Sequence, residues 1–300
     1  MPSYMNKPDW LKIKLATTHN TYAVRDDLKN KELHTVCEEA RCPNLHECWS
    51  QHRTAAFLIL GNICTRACRF CAVKTGAPSP ADRSEPARIA ESVESLGISH
   101  AVITMVTRDD LPDGGAGHLA AVGRAVHTRL PETTVEYLSS DLMGSPRAIA
   151  ALVESQPEIL GHNVETVRRL TPIVRSRSDY DRTLKFLRTV YDMDKQLITK
   201  SSVMLGLGEE VDEVLQTLND IYETGCRLVN IGQYLQPTKK SLPVKKYWHP
   251  DEFDALREKA MAMGFIQVLA GPLVRSSYHA GNLFQSVLSK RGGGGGVNDA

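Results

Sequence analysis

The stretch that decides the fold is Ala55-Ala-Phe-Leu-Ile-Leu-Gly-Asn-Ile-Cys64-Thr-Arg-Ala-Cys68-Arg-Phe-Cys71. Its first six residues form an apolar run that ends at a glycine, which is typical of a buried strand. The loop that follows carries three cysteines. Ligands of parallel α/β proteins bind in the loops that leave the carboxyl ends of strands. A strand that leads directly into a cysteine-rich loop therefore predicts a ligand site in that loop.

The chain beyond this stretch alternates between strand-like and helix-like patterns. Further apolar runs rich in β-branched residues lie at 101–106, 134–138, 158–160, 198–205 and 228–235. Segments with helical period separate them; the clearest runs from Val211 to Tyr222 and stops before Gly225, and Ser145-Pro146 is typical of a helix start. Six strand–helix units in a row predict an α/β fold with parallel strands and right-handed crossovers. Periodicity leaves two architectures open, an open doubly wound sheet and a curved, incomplete barrel.

Composition excludes several classes of protein. Lysine plus arginine number 36 against 35 aspartate plus glutamate, and a net charge of +1 argues against a general nucleic-acid-binding protein. The longest apolar runs are about six residues, far short of the ~20 that a membrane span needs, and the first residues lack the apolar segment of a secretory signal. We therefore expect a cytoplasmic protein with no membrane or nucleic-acid partner.

Cysteine usage is the informative part of the composition. Six of the seven cysteines lie between Cys37 and Cys71. A disulfide framework is unexpected without a secretory signal, and clustered thiols in an intracellular chain are more often metal ligands or catalytic groups. Cys226 stands alone in an apolar context, and we interpret it as a small buried residue.

The triplet Cys64, Cys68 and Cys71 has the spacing C-x3-C-x2-C, with an aromatic residue before the last cysteine. Three thiolates can hold three irons of a 4Fe–4S cube, and the fourth iron then stays open to the amino and carboxylate groups of S-adenosylmethionine. Reductive cleavage of that molecule yields a radical that attacks unactivated C–H bonds. A structural zinc site is the alternative, because Cys68-x2-Cys71 alone also fits a zinc knuckle. The spacing resembles the hallmark of the radical S-adenosylmethionine superfamily.

A second triplet, Cys37, Cys42 and Cys48, precedes the first with the spacing C-x4-C-x5-C. Taken alone it fits zinc, with His46 or His52 as a fourth ligand. Its position next to an iron–sulfur motif favours a second cluster. With both triplets in this order, the chain resembles the lipoyl synthase family of that superfamily, and similar blocks lie at 107–115, 162–167, 232–238 and 271–278.

This resemblance implies a fold and a set of site residues. The fold is a partial (β/α)6 TIM-like barrel at residues 55–265, with an N-terminal extension (1–54) that carries the auxiliary cluster and a C-terminal segment (266–300) that ends in a glycine-rich tail. In the segment Arg275-Ser-Ser-Tyr278 a serine hydroxyl completes the auxiliary cluster; motif position assigns this role to Ser277, with Ser276 as the alternative. Such an oxygen ligand holds iron less firmly than a thiolate does.

Two polar residues are candidates for binding the cosubstrate. Asn163 follows the fourth predicted strand and Lys200 lies within the fifth, and both side chains can hydrogen-bond to the adenosine moiety. The alternative is that Asn163 caps a helix and that Lys200 forms a structural ion pair.

The resemblance further implies a sulfurtransferase with two 4Fe–4S clusters and S-adenosylmethionine as cosubstrate. Its substrate is an octanoyl chain on a lysine of a lipoyl-carrier protein, such as the glycine-cleavage H protein or an acyltransferase subunit of a 2-oxo acid dehydrogenase. Two S-adenosylmethionine molecules are cleaved in turn, hydrogen is removed from carbon 6 and then carbon 8, and the auxiliary cluster donates both sulfurs. Ferredoxin or flavodoxin is the implied electron donor. The alternatives are another sulfur-inserting or methylthiolating enzyme of the superfamily, and a zinc-stabilised binding module without catalytic activity.

Two weaker features have competing interpretations. Gly206-Leu-Gly208 lies between a strand and a helix, as the loop of a dinucleotide-binding motif does. Because the third glycine of that motif is missing, we interpret the segment as a turn that lines the adenosine site. A basic run between residues 168 and 182 is either a solvated face or a docking surface for an acidic lipoyl-carrier domain. Its members are Arg168, Arg169, Arg175, Arg177 and Arg182.

Overall fold

The fold comes from a computed structural model that describes residues 6–13, 18–51 and 55–292, with side chains up to residue 287. His52 and most of the glycine-rich tail, both named above, lie outside the described residues. The strands are β1 His34–Thr35, β2 Ala56–Ile59, β3 Ile63–Cys64, β4 Lys74–Thr75, β5 His100–Met105, β6 Thr134–Leu138, β7 Ile159–Gly161, β8 Ile198–Leu205, β9 Leu228–Gln233 and β10 Gln267–Gly271.

The helices fill the connections between these strands. They are α1 His19–Asn30, α2 Val36–Glu39, α3 Leu45–Gln51, α4 Glu85–Leu96, α5 Ala116–Arg129, α6 Pro146–Val153, α7 Thr171–Val174, α8 Tyr180–Met193, α9 Val211–Glu223, α10 Pro250–Ala262 and α11 Ala280–Gly292. The predicted helix start at Ser145-Pro146 is present, and another helix ends at a glycine. The Ser145 hydroxyl accepts the Ala148 N–H at the start of α6, and Gly97 ends α4 in the left-handed region with φ 65°.

The main sheet has eight strands in the order β1-β2-β5-β6-β7-β8-β9-β10. All neighbours are parallel except β1, which pairs antiparallel with β2. The parallel strands follow chain order with no reversal, whereas a doubly wound sheet reverses its order at a switch point. Within the described part of the chain β10 pairs only with β9 and β1 pairs only with β2, so the barrel is open between β1 and β10.

All six predicted parallel strands are present, and the sheet extends beyond them at both ends. Gln267–Gly271 adds a seventh parallel strand from the C-terminal segment, and His34–Thr35 adds a short antiparallel edge from the N-terminal extension. Both extensions are thereby bound to the sheet through backbone hydrogen bonds.

The two edges of the barrel differ in what covers them. At the amino ends of the strands, the first residues of β7, β8 and β9 pack against apolar side chains of α11, in the cluster Ile159, Ile198, Leu228, Leu283, Phe284 and Val287. Phe284 also stacks on His100 of β5, with ring centroids 5.5 Å apart. Helix α11 therefore covers the amino edge, which leaves the loops at the carboxyl edge to form a site. No helix of the described residues is long and apolar enough to cross a membrane.

Candidate functional site

The first cysteine triplet lies in the segment from β3 to β4, two short strands that pair with each other. β3, which ends at Cys64, pairs in parallel with β4, so the residues on either side of the loop are neighbours in a short two-stranded sheet. The Thr65 amide and hydroxyl both donate to the Thr107 carbonyl, each at 3.0 Å, which ties the loop to the carboxyl end of β5. The loop therefore lies at the carboxyl edge of the barrel, as the sequence predicts.

Backbone amides surround the sulfurs of this triplet. The Arg66 amide donates to Cys64 Sγ and the Val73 amide to Cys71 Sγ, both at 3.4 Å. Such N–H donors are among the groups that tune iron–sulfur clusters in proteins. Burial raises the pKa of the Cys71 thiol to about 12, and it also raises the pKa of Cys68. These thiols therefore stay protonated until a metal displaces the protons.

Two charged residues lie beside this loop: Arg175, which the sequence analysis placed in the basic run, and Glu165, which it did not select. Arg175 is buried, and its charge favours the Cys68 thiolate. It donates to the Val164 carbonyl at 3.0 Å, while its Nε has no hydrogen-bond partner among the described residues. Burial raises the pKa of the neighbouring Glu165, whose carboxylate accepts a hydrogen bond from the Asn163 amide at 2.9 Å. Asn163 thus joins a polar group at the cysteine loop.

A buried ion pair fixes the middle of the same loop. The Arg66 guanidinium donates to both oxygens of Asp109 at 2.8 Å and to those of Asp141 at 2.7 and 3.0 Å. Arg182 donates to Asp141 from the other side at 2.8 Å. These two arginines hold the pKa of Asp141 far below its usual range despite burial. Arg66 thereby links the cysteine loop to the ends of β5 and β6.

The second triplet lies in and between α2 and α3. Cys37 belongs to α2, Cys48 to α3, and the Cys42 amide donates to the Cys37 carbonyl at 2.9 Å. Burial, together with negative charge on other thiols of the triplet, raises the pKa of Cys37 and Cys48 to about 12. Within the described chain the buried Trp49 indole N–H makes no regular hydrogen bond. It faces Cys37, where it offsets part of the rise in the pKa of that thiol. The three thiols therefore lie close enough together for the charge of one to raise the pKa of another.

The C-terminal segment packs against this second triplet. The Asn44 amide donates to the Leu273 carbonyl at 2.7 Å, and Tyr278 donates to the Glu47 carboxylate at 2.9 Å. The Asn230 side-chain amide of β9 donates to the Arg275 carbonyl at 2.8 Å, which ties the segment to the main sheet. Burial raises the pKa of Cys42, and the nearby Arg275 cation offsets part of this rise because it favours the thiolate. Residues more than two hundred positions apart thus meet at one site.

Ser276 and Ser277 lie in this segment and are half-buried. Among the described residues neither hydroxyl makes a hydrogen bond, and the segment binds its neighbours through backbone carbonyls and through Tyr278. Both hydroxyls therefore remain open to a further ligand. The assignment of the ligand to Ser277, with Ser276 as the alternative, therefore stays a prediction from the sequence motif.

The triplets are not arranged around a single ion. In the described ranges no three His, Cys, Asp or Glu side chains converge closely enough to hold one metal ion. A 4Fe–4S cube differs from a single ion because its cysteines bind separate irons at separate corners. The amide donors at Cys64 and Cys71, and the unpartnered Trp49 indole N–H, fit such a sulfur-rich group. The iron–sulfur assignment of the six cysteines stays a prediction.

Lys200 lies away from both triplets. Its amine donates to Glu136 at 2.8 Å, both side chains are buried, and His100 lies 3.4 Å from the same carboxylate. His100 is the first residue of β5 and contacts α11 through Phe284, Lys200 is the third residue of β8, and Glu136 is the middle residue of β6. The structural ion pair considered as the alternative is thus formed. The proposed contact to the cosubstrate stays untested.

The glycine loop after β8 has its amides occupied. The buried Glu209 carboxylate accepts the N–H groups of Gly206 and Leu207 at 2.5 and 2.9 Å, and the Trp248 indole N–H at 2.9 Å. A loop that cradles phosphate needs free amides. The arrangement therefore disfavours a dinucleotide site.

The basic run between residues 168 and 182 does not form one surface. Arg175 is buried, and three of the other arginines are ion-paired: Arg168 with Asp181, Arg169 with Glu213, and Arg182 with Asp141. The run therefore supplies neither a uniformly solvated face nor a continuous docking surface.

Comparisons with known proteins point to one family. A profile of the Radical SAM superfamily matches residues 58–221, and a profile of the N-terminal domain of lipoyl synthase matches residues 3–42. The lipoyl synthase of Halalkalibacterium halodurans is 57% identical over 277 residues, which cover 92% of this chain and 91% of that protein. The lipoyl synthase of Bacillus subtilis is 53% identical over 288 residues, which cover 96% of this chain and 97% of that protein.

Solved structures share the fold at low identity. The FeFe-hydrogenase maturase HydG from Carboxydothermus hydrogenoformans superposes with a TM-score of 0.59 at 13% identity, covering 77% of this chain and 56% of that one. A methylornithine synthase superposes with a TM-score of 0.56 at 13% identity, covering 85% of this chain and 75% of that one. These likenesses are consistent with a partial TIM-like barrel.

Proposed function

This chain belongs to the lipoyl synthase family of radical S-adenosylmethionine enzymes, and from that premise we propose how its residues divide the reaction. It is a sulfurtransferase of lipoyl cofactor biosynthesis that uses a 4Fe–4S cluster and S-adenosylmethionine, and its substrates are octanoylated carrier proteins. The proposal concerns the number of clusters, the ligands of each and the source of the sulfur.

We propose two sites with separate ligands. Cys64, Cys68 and Cys71 in the barrel hold the reducing cluster, whereas the N-terminal extension supplies Cys37, Cys42 and Cys48 to an auxiliary cluster that the C-terminal segment completes. When bound, the first cluster supplies the electron that cleaves S-adenosylmethionine, and the second supplies sulfur to carbons 6 and 8 of the octanoyl chain.

One observation supports this division: residues 273–278 are hydrogen-bonded to the Cys37–Cys48 loop, through Leu273 and Tyr278. The C-terminal segment is therefore placed to offer an oxygen ligand to the second site. The first triplet keeps three thiolates and no fourth protein ligand, which leaves an iron open for the cosubstrate.

The chain's own residues prepare both sites. Cys37 is buried and the other five thiols of the two triplets are half-buried. Backbone amides donate to the sulfurs of Cys64 and Cys71. Arg175 beside Cys68 and Arg275 beside Cys42 each offset part of the negative charge that a thiolate-bound cluster brings.

We propose that Asn163 binds the cosubstrate, because its side chain belongs to the polar group at the first cysteine loop. Lys200 is proposed for the same role only if it gives up its ion pair with Glu136. Binding of S-adenosylmethionine by Lys200→Met tests this at constant iron content: unchanged affinity with a lower melting temperature would leave Lys200 a structural residue.

The further partners are also proposals. The glycine-cleavage H protein and acyltransferase subunits of 2-oxo acid dehydrogenases are the expected carriers, and ferredoxin or flavodoxin is the expected electron donor. The cytoplasm is the expected compartment, because unoxidised thiols and a reduced cluster need a reducing environment.

The test is anaerobic incubation with an octanoyl-lysine peptide, S-adenosylmethionine and dithionite, followed by mass spectrometry. Alanine variants of Cys64, Cys68 and Cys71 should not cleave S-adenosylmethionine. Alanine variants of the second triplet should still form 5′-deoxyadenosine but insert no sulfur. Lipoyl product from the second set would overturn the donor assignment, and zinc without acid-labile sulfide in the purified protein would overturn both clusters.

The fourth ligand of the auxiliary site has its own test. A thiolate holds iron more firmly than a hydroxyl oxygen, so Ser277→Cys should keep full iron and cleave S-adenosylmethionine, yet insert little sulfur. Ser276→Cys is the matched control and should act like the unaltered protein. The reverse pattern would move the ligand to Ser276, and normal yields from both would refute a serine ligand.

A further inference from the structure

A turn at residues 236–242 lies between the loops that carry the two cysteine triplets. Arg41, between Cys37 and Cys48, donates to the Pro237 carbonyl at 3.4 Å. On the other side, the Leu242 amide donates to the carbonyl of Arg69, which lies between Cys68 and Cys71. Within the turn, the Gln236 side chain donates to the Ser241 carbonyl at 2.8 Å. The turn is therefore a rigid bridge between the two proposed cluster loops.

This bridge carries an excess of positive charge. Lys239 and Lys240 are exposed at its tip, and Arg41 and Arg69 are exposed on the two loops that it joins. We name these four residues the basic ridge. Among the described residues none of the four forms an ion pair, whereas three arginines of the run after residue 167 are paired with carboxylates. In a chain of net charge +1, this is a local concentration of unneutralised cations.

The location of the ridge restricts which partner it fits. This step depends on the proposed function, in which the octanoyl chain must reach both clusters. A protein that delivers the acyl-lysine must therefore dock where both cluster loops are in reach, and the ridge joins these loops. An electron donor needs access to the Cys64–Cys71 loop alone. Unpaired cations on a docking surface attract a partner of opposite charge and speed its association.

We infer that the basic ridge docks an acidic face of the lipoyl-carrier domain and so guides its octanoyl-lysine arm between the two clusters. The ridge acts on the carrier protein and leaves the chemistry of the acyl chain unchanged. A short, uncharged octanoyl-lysine peptide has no acidic face, so its conversion does not depend on the ridge.

The test compares two substrates with one double variant, Lys239→Glu/Lys240→Glu, which leaves both cluster loops unaltered. The substrates are an octanoylated lipoyl-carrier domain of net negative charge and an uncharged octanoyl-lysine peptide, each with dithionite as reductant. The matched control is Lys185→Glu/Lys195→Glu, with the same charge change on α8 and on the turn before β8. Both control lysines are exposed, and Lys195 precedes a strand, at the edge opposite the cysteine loops.

The expected result is a split between the substrates. For the carrier domain at low salt, kcat/KM of the ridge variant falls about tenfold or more, and at about 0.5 M salt the difference narrows because screening weakens charge steering. For the peptide, kcat/KM of the ridge variant stays within about twofold of the unaltered protein. The control variant behaves like the unaltered protein on both substrates.

Other outcomes separate this inference from the proposed function. If the unaltered protein inserts no sulfur into either substrate, the proposed function fails. If it converts both and the ridge variant loses nothing on the carrier, the ridge does not dock it. A loss that appears only when a protein electron donor replaces dithionite would assign the ridge to that donor and overturn the inference.

Discussion

Replacing Arg66 by leucine removes one cation from a buried ion-pair group. The Arg66 side chain is 3% exposed and bonds to two carboxylates, Asp109 and Asp141, whose side chains are 17% and 0% exposed. In the variant, the buried Asp141 keeps Arg182 as its remaining cation, at 2.8 Å. Asp109 is nearer the solvent and can be hydrated when it loses its partner.

The structure sets the size of the effect. Removing one partner from a buried pair costs about 3–5 kcal/mol, because the other charge stays buried without compensation. Since Arg182 still neutralises part of the Asp141 charge and Asp109 can reach water, we expect the lower end, about 3 kcal/mol. At about 2–4 °C per kcal/mol, this lowers the melting temperature by roughly 6 °C or more.

The assay is thermal unfolding followed by circular dichroism, on anaerobic samples of equal iron content. Arg129→Leu is the matched control, because Arg129 pairs with Glu94 on the surface with side chains 44% and 49% exposed. Solvent screens such a pair, so its loss should cost at most about 1 kcal/mol. Adding Asp141→Asn to Arg66→Leu should restore part of the stability, because it removes the uncompensated charge.

A melting temperature for Arg66→Leu within about 2 °C of the unaltered protein would refute the reasoning, since it corresponds to an exposed pair. Equal effects of Arg66→Leu and Arg129→Leu would refute it too. Either result would mean that Asp141 reaches solvent or a further cation.

Three further predictions concern the two sites. A Cβ at position 232 would lie 2.1 Å from the Val274 carbonyl oxygen, so Gly232→Ala should displace the C-terminal segment and abolish sulfur insertion, while S-adenosylmethionine cleavage persists; retained product would contradict this. Burial, with the nearby Arg175 charge, lowers the pKa of His162 to about 4, below the ordinary value of 6.5. Stability is therefore full above pH 6.5 and falls as the pH drops towards 4, because the unfolded chain takes up the proton first. Histidine NMR, assigned with His162→Gln, should show a ring that does not titrate near 6.5. Asn163→Ala should weaken S-adenosylmethionine binding at unchanged iron content, and an unchanged affinity measured by equilibrium dialysis would remove Asn163 from the site.

The sequence predicted the regular parts of the barrel because their patterns are local. The run at residues 55–60 is apolar along its length, which is typical of a strand that is covered on both faces. The strand Gln267–Gly271 was not predicted as part of the sheet. It is short, only one of its residues is fully buried, and its strand conformation depends on pairing with β9.

The charged residues around the sites were the least predictable. Arg175 stands in a run of arginines that resembles a solvated face, yet its side chain is buried beside Cys68. Lys200 lies in a strand near polar residues, yet its partner Glu136 is 64 positions away. Burial and pairing of a charge depend on which distant strands become neighbours, and one-dimensional patterns do not contain that information.

The sequence by itself determined the chemistry that this protein can offer. Thiol spacing within a triplet is local, so Cys64, Cys68 and Cys71 are restricted to one short loop whatever the rest of the chain does. The tertiary structure alone decided which groups meet at each triplet. Asn230 and the side-chain-free Gly232 of β9 let the Arg275–Tyr278 segment lie against the Cys37–Cys48 loop. That meeting depends on the curvature of the open barrel, because only packing of the buried faces brings the two ends of the chain to the same edge.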